Sequence, residues 1–111
     1  MIKSAGRLTY TSADGVLTLK LTGEIDHHSA VGLREEADRL IYLERPKKLL
    51  LDLSGIDFMD SSGLGFIMGR YALVSKLGGS LALLNPNARV SRILSLSALE
   101  RIIKTERTDE K

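Results

Sequence analysis

Apolar and polar residues alternate through Val16-Leu17-Thr18-Leu19-Lys20-Leu21, the period of a strand with one face buried. A weaker alternation around Arg7-Leu8-Thr9-Tyr10 precedes it, and Ser12-Ala13-Asp14-Gly15 separates the two. Asp-Gly between strand-like runs predicts a hairpin, because glycine reaches positive φ without a Cβ clash. The second run stops at Gly23. Val31, Leu33, Ala37, Leu40 and Ile41 then recur at helical spacing. They predict a helix capped by Asp26 or Ser29 that runs to about Leu43 and is closed by Pro46.

Lys47-Lys48-Leu49-Leu50-Leu51-Asp52-Leu53 is a nearly continuous apolar run, as expected of a strand buried on both faces of a parallel sheet. A loop is expected from Ser54 to Asp60, followed by a second helix from Ser62 to about Leu77 that ends at Gly78-Gly79. Ser80-Leu81-Ala82-Leu83-Leu84 reads as another buried strand. Pro86 is expected in the first turn of a third helix, a position that tolerates its missing N–H, with Val90, Ile93 and Leu94 on one side. Arg101-Ile102-Ile103-Lys104-Thr105 closes the pattern as a last strand before a charged tail. The alternation predicts an α/β fold: a mixed, mostly parallel sheet of about five strands with an initial antiparallel pair, packed with three to four helices. The chain shows no internal repeat or linker, so one domain is expected over 1–111, with a core at about 8–106.

Composition narrows the function classes. With 43% hydrophobic and 27% charged residues, the chain has the balance of a globular protein. Its apolar run from Leu64 to Met68 is far short of the roughly 18 residues of a membrane span. Met1-Ile2-Lys3-Ser4-Ala5 begins no apolar signal core, which predicts a cytoplasmic protein without a membrane partner. The absence of cysteine removes disulfides, thiolate metal sites and cysteine nucleophiles together. A net charge of +2 spread along the chain, with five aromatic residues, is not the basic stripe of a nucleic-acid binder.

In α/β sheets, sites form where the strands deliver their carboxyl ends. The richest such segment is Asp57-Phe58-Met59-Asp60-Ser61-Ser62-Gly63-Leu64-Gly65. Part of it reads as a plain helix start, with Ser61 or Ser62 capping and Asp60 complementing the dipole. A cap alone leaves unexplained two glycines and two serines in one turn, and Phe58-Met59 where a polar loop is expected. Chemical alternatives fail on missing partners. Gly63, Gly65 and Gly69 miss the dinucleotide fingerprint by one residue, and no acid stands about twenty residues later. Asp52 ends a buried strand like a receiver's acceptor, but the acidic pair that would hold a divalent metal is missing. His27-His28 project about 100° apart on a helix and do not share one ion. No serine sits in a Gly-x-Ser-x-Gly elbow. Catalytic residues, metal ligands and cofactors are therefore not expected.

Gly23-Glu24-Ile25-Asp26-His27-His28-Ser29-Ala30, with the segment from Asp57 to Gly65 and its continuation through Ile67-Met68-Gly69-Arg70-Tyr71, resembles the anti-sigma factor antagonists, nearest their sporulation branch. Their fold is the STAS domain, and the resemblance runs from about Leu8 to Ile103. It implies a partner switch. The unphosphorylated antagonist binds an anti-sigma factor that is itself a serine kinase and releases a sigma factor. The kinase phosphorylates the first serine of Asp-Ser-Ser-Gly, here Ser61, and a phosphatase restores the binding form. Phe58, Met59, Asp60, Ser62, Gly63 and Leu64 would form the contact patch, with Ser62 also expected to cap or support its helix. Asp26 carries two expectations, a helix cap and a kinase contact. A monomer is the default. Members of this branch often continue into a further C-terminal helix, whereas this sequence ends at Lys111. The resemblance also allows a STAS module of another system, a stress-signalling scaffold or a transport-associated regulator.

Overall fold

The computed structural model describes residues 7–108; the signal-peptide expectation at Met1 to Ala5 and the last three residues of the charged tail lie outside them. Five strands and three α-helices follow one another as β1 (Arg7–Ala13), β2 (Val16–Ile25), α1 (His27–Glu44), β3 (Lys48–Met59), α2 (Ser61–Lys76), β4 (Ser80–Leu84), α3 (Ala88–Leu96) and β5 (Lys104–Glu106). The strands lie side by side in the order β1-β2-β3-β4-β5. The β1–β2 pair is antiparallel and the other pairs are parallel. Asp14 and Gly15 both take positive φ, at 53° and 81°, so Ala13 pairs directly with Val16 across the two-residue turn that matches strand twist.

Each parallel step moves one place in the same direction, and right-handed crossovers then put all three helices over one face of the sheet. Burial agrees. Leu17, Leu19 and Leu21 of β2 and Leu49, Leu51 and Leu53 of β3 are fully buried, while Thr18, Lys20, Leu50 and Asp52 between them are not. Leu33, Ala37, Leu40 and Ile41 of α1, Phe66, Ile67 and Val74 of α2, and Val90 and Leu94 of α3 complete the same core.

The structure corrects the expected boundaries in four places. β2, expected to stop at Gly23, runs on to Ile25. The segment expected to loop from Ser54 to Asp60 is strand almost throughout, because β3 continues to Met59 and pairs with β2 as far as Ile25. The pairing shifts register between Lys20 and Thr22 and again between Gly23 and Glu24. Gly55 permits the crossing, since a Cβ there would meet Thr22 Cγ2 at 2.7 Å. Irregular pairing blurs the two-residue period that announces a strand. At the third helix, Pro86 lies before the cap and not in the first turn: Asn87 is the N-cap, its Oδ1 accepting from the Val90 amide at 2.8 Å. The last strand begins at Lys104, because Leu99–Arg101 is a short 3-10 turn.

This geometry positions the site. β4 pairs with β3 only as far as Asp52, so β2 and β3 run on together beyond it. Their tips deliver the starts of α1 and α2 to adjacent places.

Candidate functional site

The site is the shared end of β2 and β3. Ile25 pairs with Met59, and the Asp60 amide donates to the Ile25 carbonyl at 3.2 Å. The next residue of each chain segment is an aspartate that caps a helix. Asp26 starts α1, its Oδ1 accepting from the amides of His28 at 3.0 Å and Ser29 at 2.9 Å. Ser29 answers in kind: its Oγ accepts from the Asp26 amide at 3.1 Å and donates to the Glu24 carbonyl at 2.9 Å. The reciprocal bonds form a capping box. They hold the Asp26 carboxyl below its ordinary range, the Ser29 amide contributing most.

Asp60 starts α2, its Oδ1 accepting from the Ser62 amide at 2.7 Å. The cap is therefore Asp60 and neither serine, because the carboxylate stands one residue ahead of the first turn, where the free amides point. Ser61 is the first residue of α2 and is exposed; Ser62 is half-buried. Neither serine hydroxyl has a hydrogen-bond partner among the described residues.

The expected contact residues divide between surface and core. Phe58 is 37% exposed and Leu64 is half-buried at the core edge. Met59 is fully buried, so it supports the patch from beneath and offers no surface. Gly63 is buried directly above it: a Cβ at Gly63 would meet Met59 Cβ at 2.6 Å and Sδ at 2.9 Å. The glycine thus lets the first turn of α2 settle on the end of β3. Asp57 is exposed on the same strand end, and Asp60 directly precedes Ser61. Both His27 and His28 are exposed, and the described residues contain no group of three or more His, Cys, Asp or Glu arranged to hold a metal ion. No described helix is long and apolar enough to cross a membrane.

One structural element of the site had no role assigned from the sequence. Arg70, 5% exposed on α2, sets its Nε 2.8 Å from Oδ1 of Asp38 on α1. Its guanidinium also donates to the Phe66 carbonyl at 3.3 Å and lies 5.1 Å from the centre of the Phe66 ring. Burial lowers the Arg70 pKa and the Asp38 charge opposes that shift. The pair ties α1 to α2 behind the Ser61 end. Residues 32 positions apart leave no local spacing from which to read such a pair.

The shared strand end thus carries an exposed serine, acidic residues and two adjacent helix starts on an α/β sheet. The STAS domain family matches residues 7–111. The anti-sigma F factor antagonist of Paenibacillus polymyxa is 42% identical over 89 residues, 80% of this chain and 76% of that protein. The anti-sigma-B factor antagonist of Bacillus subtilis (strain 168) is 38% identical over 87 residues, 78% of each. The anti-sigma factor antagonist SpoIIAA in its unphosphorylated form superposes with a TM-score of 0.80 at 25% identity, covering 94% of this chain and 90% of that one. The chain belongs to the STAS family and, within it, to the anti-sigma factor antagonists, close to the sporulation branch. Its general function is regulation by partner switching.

Proposed function

We propose that the unphosphorylated chain binds an anti-sigma factor that is itself a serine kinase, thereby releasing a sigma factor, and that phosphorylation of Ser61 turns this binding off. The exposed place of Ser61 at the first position of α2, immediately after the Asp60 cap, carries the proposal. Its hydroxyl is open to an incoming kinase, and modifying it removes none of the described bonds that hold the helix start.

A phosphate adds about −1.5 to −2 charges at neutral pH. On Ser61 it meets Asp60 and Asp57, while the amides and dipole of the helix start offset part of the repulsion. The phosphoprotein therefore keeps its fold. What changes is the contact surface. A dianion beside Phe58 and Leu64 would have to be desolvated for the partner to seat, and a loss of about 3 kcal/mol lowers affinity more than a hundredfold. Asp26, next to Asp60 across the paired strand ends, places a second fixed carboxylate against the kinase. A phosphatase that hydrolyses the phosphoserine restores the binding surface.

The test is a calorimetric titration of the anti-sigma kinase with the unphosphorylated chain, the Ser61-phosphorylated chain and Ser61→Ala. Tight binding by the first and third, with a loss of about a hundredfold for the second, is expected. Equal affinity of the phosphorylated and unphosphorylated forms would assign the domain to another STAS system.

A further inference from the structure

Beside Ser61, α1 and α2 leave between them a groove of about 320 Å³, walled by His27, Val31 and Arg34 on one side and by Ser62, Gly65 and Phe66 on the other. The α1 residues recur at i, i+4 and i+7, one face of a helix. The α2 residues begin in the turn that carries Ser61. Val31 is 47% exposed, and a Cβ at Gly65 would meet nothing within 4 Å. The groove therefore has an apolar lining and room for a side chain.

Its charge is unbalanced. Asp38 stands one turn beyond Arg34, where a helix normally pairs such residues, but Asp38 Oδ1 is held by Arg70. Arg34 forms no ion pair among the described residues, and its charge adds to the burial that lowers the Arg70 pKa. The Asp38 carboxylate is thus taken by Arg70, and the charge of Arg34 is left open at the groove. At the adjoining helix starts and strand end, Asp26, Asp60 and the exposed Asp57 make the Ser61 end acidic. A partner complementary to both must present positive charge to the serine and negative charge to the groove.

We propose that this groove is a specificity pocket of the switch, receiving a segment of the anti-sigma kinase in which an apolar side chain is followed by a carboxylate. The apolar group lies against Val31, Gly65 and Phe66, and the carboxylate takes the planar guanidinium of Arg34 in a two-pronged bond. A segment with a basic residue at that place is rejected, since it would add a third positive charge beside Arg34 and Arg70. This rests on the kinase being the partner of Ser61.

The test titrates the anti-sigma kinase with the full unphosphorylated chain and with Arg34→Glu, Arg39→Glu and Gly65→Leu, at low and high salt, with melting temperatures recorded for each. Arg39→Glu makes the same charge change on α1 outside the groove lining. Arg34→Glu is expected to bind at least about tenfold more weakly, with the deficit shrinking at high salt, while Arg39→Glu stays within about twofold. Gly65→Leu fills the groove without a described clash and is expected to lose affinity while keeping its melting temperature. Arg34→Glu binding as tightly as the unaltered chain, or Arg39→Glu losing as much as Arg34→Glu, overturns the pocket. No binding by the unaltered chain overturns the kinase assignment and the pocket with it.

Discussion

At the start of α1, the serine three residues after the cap is spent on the backbone: Ser29 Oγ accepts from the Asp26 amide and donates to the Glu24 carbonyl. At the start of α2, the serine directly after the cap is exposed and makes no described hydrogen bond. Both segments read as an aspartate with serine close behind, and both begin helices at neighbouring strand ends. The place of the hydroxyl in the first turn separates them. At the third helical position it reaches back to the cap, whereas at the first it faces outward. The same residue types therefore build a locked start in α1 and an open one in α2.

The sharpest way to break this contrast is inside the α2 start. Gly63→Ala pushes a methyl into Met59, and chemical denaturation is expected to show a loss of about 1–3 kcal/mol, the usual range for overpacking. Met59→Ala should relieve only part of that clash in a double-mutant cycle, since it removes Cγ and Sδ but leaves the Cβ that stands nearest. A smaller difference separates the two serines. Ser29→Ala removes both bonds of its hydroxyl, one to the Asp26 amide and one to the Glu24 carbonyl, and is expected to cost about 1 kcal/mol; Ser61→Ala should stay within about 0.5 kcal/mol, the usual limit for an exposed side chain. Equal losses at the two positions would erase the distinction.

Gly65→Ala should act in the opposite direction from Gly63→Ala. Nothing in the chain approaches a Cβ there, so a better helix former stabilises α2 by about 0.5–1 kcal/mol. The smallest effect is in acid. The Asp26 carboxyl is held below its ordinary value, first by the Ser29 amide, so the folded chain binds this proton less readily than the unfolded chain. Its contribution is complete above the unfolded value of about 3.9 and is lost as pH falls through the lower folded one. Asp26→Asn should therefore flatten the decline in stability over that acid range, as measured by denaturant midpoints at successive pH values.

Much of the fold was legible because the leucine alternation of β2 and the buried runs of β3 and β4 repeat simple periods. The loop expected from Ser54 to Asp60 was misassigned because the β2–β3 pairing shifts register there, with Gly55 passing against Thr22. In the site, the residue types from Asp57 to Gly65 stand out in the sequence, but Phe58 and Met59 look alike there and only the pleat sends Met59 inward. Which residue caps α2, and that Asp38 answers Arg70 and so leaves Arg34 alone, depends on tertiary approach that no local spacing records.

The most direct measurement incubates the chain with the anti-sigma kinase and ATP, then locates any phosphate by intact mass and peptide mapping in the unaltered chain, Ser61→Ala and Ser62→Ala. The account predicts a single phosphate on Ser61, absent from Ser61→Ala and retained in Ser62→Ala. A phosphate on Ser62 or Ser29, or none on a chain that binds the kinase, would contradict it.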